Sequence, residues 1–66
     1  MEQIFRLYIR TGNDAFADNP APELARILRS IADKIETEGE APWAYQTVRD
    51  INGNDVGRYA LKGEGE

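Results

Sequence analysis

The chain has 66 residues, no cysteine and no histidine, and twelve acids against eight bases, for a formal charge of −4. That leaves room for one small domain and excludes disulfides, thiolate or imidazole zinc sites and His-based acid–base chemistry. Folding buries roughly 60% of the unfolded surface of a chain this size, a thin core in which a cleft of ~300 Å³ has little room, so no enzyme, cofactor or metal site is expected.

The hydrophobic fraction of 41% suits a folded chain rather than a disordered one. No apolar run approaches the ~20 residues of a membrane span. Met1 leads into Glu2 and a strand-like segment rather than a signal peptide. The missing cysteines fit a cytoplasmic protein, and a pI near 4.7 argues against general coating of DNA.

Residues 3–10 alternate with period two. Phe5, Leu7 and Ile9 fall on one face, and Ile4, Arg6, Tyr8 and Arg10 on the other, which predicts a strand with one buried face. Thr11-Gly12-Asn13-Asp14 ends it with turn-forming residues. Phe16, in the polar loop that follows, is expected to lie as a lid on the edge of the core.

Asn19-Pro20-Ala21-Pro22-Glu23 starts a helix: Asn caps, Pro fits the first turn, and Glu favours it. Leu24, Leu28, Ile31 and Ile35 recur at helical spacing, with Ile27 and Ala32 widening the stripe. The helix is predicted to run to about Glu38, with Gly39 as its stop. Nineteen residues at 1.5 Å each give roughly 28 Å, enough to lie across a small sheet.

Ala41-Pro42 breaks the chain again, and Trp43 and Tyr45 lead into a second strand over roughly 44–51. Asn52-Gly53 signals a hairpin, because both turn positions favour φ > 0. The third strand runs from about Asn54 to Leu61. With a two-residue turn, Ile51 faces Asn54 and Arg49 faces Val56. Ala44, Val48, Gly57, Tyr59 and Leu61 then share one face, and Tyr45, Thr47, Arg49, Val56, Arg58 and Ala60 the other; a longer turn shifts this register. Gly57 inside a strand suggests a bulge or a close backbone approach.

The element order is β-α-β-β. The expected fold is α+β: a three-stranded, mainly antiparallel sheet in the order 1-3-2, with one helix packed on one face. The other possible order, 1-2-3, would need a right-handed parallel crossover. The domain spans 1–62, and 63–66 form a flexible acidic tail.

Asp50-Ile51-Asn52-Gly53-Asn54-Asp55 opens like a calcium loop. Position 6 is Asp55 instead of Gly, and position 12 is Leu61 instead of a bidentate Glu, so a hairpin turn is the better reading. Carboxylates are plentiful, but no spacing marks two of them as buried together. Asp14, Asp18 and Glu23 near the helix N-terminus are accounted for by its dipole.

Charge layout is more informative. The sheet segments hold Arg6, Arg10, Arg49, Arg58 and Lys62 against Glu2, Asp50 and Asp55, while the first loop, the helical stretch and the tail are each net acidic. Asp33, Glu36, Glu38 and Glu40 crowd the helix C-terminus, where the dipole disfavours anions by about 0.3–1 kcal/mol each. A broken local rule can mark a working surface, so these four form the first candidate binding surface. The second is the sheet face carrying Arg6, Tyr8, Arg10, Arg49 and Arg58, with Tyr45 beside them. Arginine with tyrosine is the chemistry of protein interfaces and of base stacking.

The runs Phe5-Arg6-Leu7-Tyr8-Ile9-Arg10-Thr11, Asn13-Asp14-Ala15-Phe16, Glu23-Leu24-Ala25-Arg26-Ile27-Leu28 and Val48 to Gly57 resemble a group of short acidic proteins encoded by bacteriophages and other mobile elements. Several small acidic phage proteins are anti-CRISPR inhibitors that bind DNA-gripping subunits of a surveillance complex, some by imitating DNA charge. The resemblance implies a stoichiometric inhibitor acting in the bacterial cytoplasm. Asp33, Glu36, Glu38 and Glu40 would face the basic surface of a nucleic-acid-binding Cas subunit. The other expectations are a small nucleic-acid-binding or regulatory module using the Arg/Tyr face, and an accessory phage protein that oligomerises through a strand edge. A monomer is favoured.

Overall fold

The alternation of apolar residues in the first segment builds β1 (Gln3–Ile9), and the computed structural model describes residues 2–63. One 3₁₀ turn (Asp14–Phe16) precedes α1 (Ala21–Glu38), followed by β2 (Gln46–Arg49) and β3 (Asp55–Gly63). The sheet order is β1-β3-β2 with both neighbouring pairs antiparallel, the order expected from the sequence. Extents of 41 × 26 × 17 Å give a thin slab, two layers deep. Among the described residues no helix is long and apolar enough to cross a membrane. The acidic tail expected at 63–66 lies outside the described residues except for Gly63, which ends β3.

Pro20 and Pro22 sit where first-turn amides have no intrahelical partner, and Asn19 Oδ1 accepts the Ala21 amide at 3.1 Å. Gly39 closes the helix at φ +80°, a conformation that favours glycine, and donates to the Ile35 carbonyl at 2.9 Å. The buried stripe is Glu23, Ile27 and Ile31, with Leu24 and Ile35 packed beside it. Leu28, expected in the stripe, is 48% exposed; one residue is about 100° around the helix, and Ile27 takes the inward position instead.

Phe16, Ile27, Ile31, Val48, Val56 and Tyr59 form the core, so Phe16 is a full core member at 3% exposure. β2 and β3 are paired as expected from Val48↔Gly57 outward, but Arg49 pairs with Asp55, not Val56. The turn is not the two-residue kind. Asp50 donates to the Asn54 carbonyl, Gly53 to the Asp50 carbonyl, both at 3.0 Å, and Gly53 has φ +85°. That is a three-residue loop with glycine in the left-handed position. Val56 becomes the extra residue of a bulge. Expected on the open face, it turns into the core and is 1% exposed.

Gly57 sits beside this bulge. A Cβ there would run into the Tyr8 carbonyl and come within 3.1 Å of Ile9 Cα, so the close backbone approach read from the sequence is real. β2 is shorter than the segment 44–51, although Leu61 still donates to the Pro42 carbonyl at 2.8 Å.

Candidate binding surfaces

The helix covers the face that carries Val48, Val56 and Tyr59, which leaves the opposite face of the sheet uncovered. Side chains directly opposite in antiparallel strands share a face. The pairs Ile4↔Lys62, Arg6↔Ala60, Tyr8↔Arg58 and Thr47↔Arg58 therefore lie together on the uncovered side. Arg49 and Asp55 join them at the hairpin end. The Lys62 ammonium stands 4.6 Å from the centre of the Tyr45 ring, which places Tyr45 there too.

Arg6, Tyr8, Arg10, Arg49 and Arg58 are thus assembled on one surface, with Lys62 and Tyr45 added. Tyr8 and Tyr45 are about half exposed. The Arg10 guanidinium lies 5.9 Å from the Tyr8 ring centre. Asp55 brings a carboxylate to the hairpin end of the face, and it organises two of the cations. Arg58 pairs with its Oδ1, and Arg10 Nη2 reaches its Oδ1 at 3.6 Å and its carbonyl at 3.0 Å. The Arg58 hydrogen bond holds the Asp55 carboxyl below its ordinary pKa, against an opposing desolvation. Arg49 donates to the Gly53 carbonyl at 3.2 Å. Ala60 is the small side chain between these long ones and is fully covered.

Asp33, Glu36, Glu38 and Glu40 are all exposed, and none has a hydrogen bond or ion pair among the described residues. They do not share one face. With Ile31 and Ile35 pointing inward, Asp33 and Glu36 point outward. Glu38 lies near enough to Tyr59 to raise that phenol's pKa, second to burial, and Glu40 follows the helix cap. The last helical turn has no basic residue to offset them.

One arrangement had no counterpart in the sequence reading: Glu23 and Asp50 are both buried. Glu23 accepts both arms of Arg26, Nε at 2.7 Å and Nη2 at 2.9 Å, and the Ile51 amide at 2.8 Å. Asp50 Oδ1 accepts the Asn52 and Asn54 amides at 2.9 Å, and Oδ2 accepts the Asn13 and Asn54 side chains at 3.2 Å. The Arg26 hydrogen bond lowers the Glu23 pKa, against burial, with Ile51 assisting. Burial pushes the Asp50 carboxyl up, but bonds from Asn54, Asn13 and Asn52 together outweigh it, and its pKa is lowered. This cluster ties the first loop, the helix start and the hairpin turn together. Both Asp50 oxygens are engaged by protein donors, which is a hairpin turn's chemistry rather than a calcium loop's.

No protein-family model matches the chain, and neither a curated protein nor a solved structure is significantly similar to it.

Proposed function

We propose that this chain is a non-catalytic binding module that lays a single-stranded nucleic acid across the open face of its sheet. The observation that carries this reading is the gathering of five cations and two exposed tyrosines, from the three strands and the residues that flank them, on one face of the sheet. Cations that neutralise phosphates supply sequence-independent affinity. Tyrosine faces stack bases, at about 1–3 kcal/mol per base. Tyr8 and Tyr45 flank the middle strand, and two strand spacings put them roughly 10 Å apart, so each can take its own base. Asp55 keeps Arg10 and Arg58 in fixed positions at a modest cost in net charge. The helix acids lie on the far layer, so an overall charge of −4 weakens the attraction without reversing it at the face.

The test is fluorescence anisotropy on a labelled single strand of about 12 nucleotides, within the usual site sizes. Binding is expected at low salt, with a log–log salt slope of about −2 for three neutralised phosphates. Arg6→Ala and Tyr8→Ala should each weaken it. No anisotropy change at any salt concentration would refute the reading.

A second reading rests on the four exposed, unpaired acids of the helix end. In it the chain is a phage-derived stoichiometric inhibitor of the anti-CRISPR kind, a DNA mimic that sets Asp33, Glu36, Glu38 and Glu40 against the basic surface of a Cas subunit in the host cytoplasm. Reversing all four charges should then abolish capture of that subunit in a pull-down while leaving the fold intact. Unchanged capture would remove this surface from consideration.

A further inference from the structure

A groove of about 220 Å³ runs between α1 and β2 at the edge of the sheet. Ile27, Ile31 and Val48 form its apolar floor, and Ser30, Lys34 and Tyr59 line it as well. Three consecutive β2 residues, Thr47 to Arg49, border it. Only Val48 of these faces the helix, so the groove opens along the outer edge of β2, the edge strand of the sheet.

Tyr59 is the informative residue. It is 3% exposed, yet its hydroxyl has no hydrogen bond among the described residues. A buried tyrosine hydroxyl ordinarily finds a partner. No fully buried side-chain oxygen or nitrogen among the described residues lacks one, so this hydroxyl is not fully enclosed, and Tyr59 is one of the residues that line the groove. Burial, and then Glu38, raise its pKa, which keeps the phenol a proton donor at neutral pH. A donor without an acceptor, a lysine that likewise has no partner, and an apolar floor together describe a ligand with a carboxylate at one end and a hydrocarbon body. The volume equals about seven waters and lies below the ~300 Å³ at which drug-sized pockets begin, so the ligand is small.

We propose that the groove between α1 and β2 binds a small apolar monocarboxylate, its body on Ile27, Ile31 and Val48 and its carboxylate on the Tyr59 hydroxyl and the Lys34 ammonium. Glu38, near the same hydroxyl, opposes the anion and limits affinity.

Benzoate is the probe, with benzamide as its neutral counterpart, each titrated by NMR to about 50 mM, enough to saturate a low-millimolar site. Benzoate should give saturable shifts centred on Ile31, Val48 and Tyr59. Lys34→Gln and Tyr59→Phe should each weaken it about fivefold, the loss of one hydrogen bond, in otherwise unchanged spectra. Glu38→Gln should tighten it. Shifts that fail to saturate, benzamide binding as well as benzoate, or affinity unmoved by both Lys34→Gln and Tyr59→Phe would overturn the assignment. The open face is untouched by these variants, so this result stands or falls apart from nucleic-acid binding.

Discussion

The Ile51 amide donates to Glu23 Oε2 at 2.8 Å, linking the tip of the hairpin to the first turn of the helix across 28 residues of sequence. Arg26 grips the same carboxylate with two nitrogens, so Glu23 is held from both sides. Glu23→Gln keeps the shape and removes the charge. Thermal unfolding should show a clear fall in Tm, larger than for Asp33→Asn on the exposed outer face of the helix. Amide exchange at Ile51 should rise at the same time. Equal Tm values for the two variants would show that the clasp does not contribute to stability.

Acid should release this clasp. The pKa values of Glu23 and Asp50 are lowered in the folded state, so the unfolded chain takes up protons first as pH falls. Their contribution is complete above the ordinary carboxylate range, near pH 4, and is lost as pH drops through the lowered folded values. Tm measured from pH 7 to pH 2 should therefore hold steady and then fall below about pH 4. With Glu23→Gln and Asp50→Asn combined, that fall should be shallower. An unaltered acid profile in the double variant would assign the effect to other carboxylates.

Much of this fold is legible in residue order. Phe5-Leu7-Ile9 alternation marks β1, and Asn19-Pro20 and Gly39 mark the helix ends within a residue or two. The 1-3-2 order followed from making every neighbouring pair antiparallel. Val56 was misplaced because a side-chain period of two presumes an unbroken ladder, and a bulge inverts it locally. The joint burial of Glu23 and Asp50 was invisible for another reason: it exists only once the hairpin tip docks on the helix start. Its available signal was an acid on the inward stripe, Glu23 one turn before Ile27, read there as a dipole residue alone. The Arg/Tyr face is legible from period-two alternation and the hairpin pattern, and the structure adds Lys62 to it; the four acids are legible only as a crowd, because the helix turns them to different sides.

Val56 gives a direct check of that inversion. Val56→Ala should cost about 2 kcal/mol through lost burial and a residual cavity. Ile51→Ala, at a position 67% exposed, should stay within about 0.5 kcal/mol. Chemical denaturation of both variants separates the assignments. Similar small losses would put Val56 back on the open face.

Gly57→Ala should be among the most damaging single substitutions. The added methyl meets the backbone of β1 rather than a flexible side chain, so the strands must separate. A loss of about 3 kcal/mol is expected, against a total of roughly 3–10 kcal/mol for a domain this size. A loss below about 0.5 kcal/mol would mean that β1 and β3 are not held this closely.

The central claim is that the uncovered sheet face is the working surface. NMR titration of the labelled protein with a single-stranded oligonucleotide at low salt tests it most directly. The account predicts that shifts concentrate at Arg6, Tyr8, Thr47, Arg58 and Lys62 and spare Asp33 and Glu36 on the helix. Shifts confined to the helix, or none at any site, would contradict it.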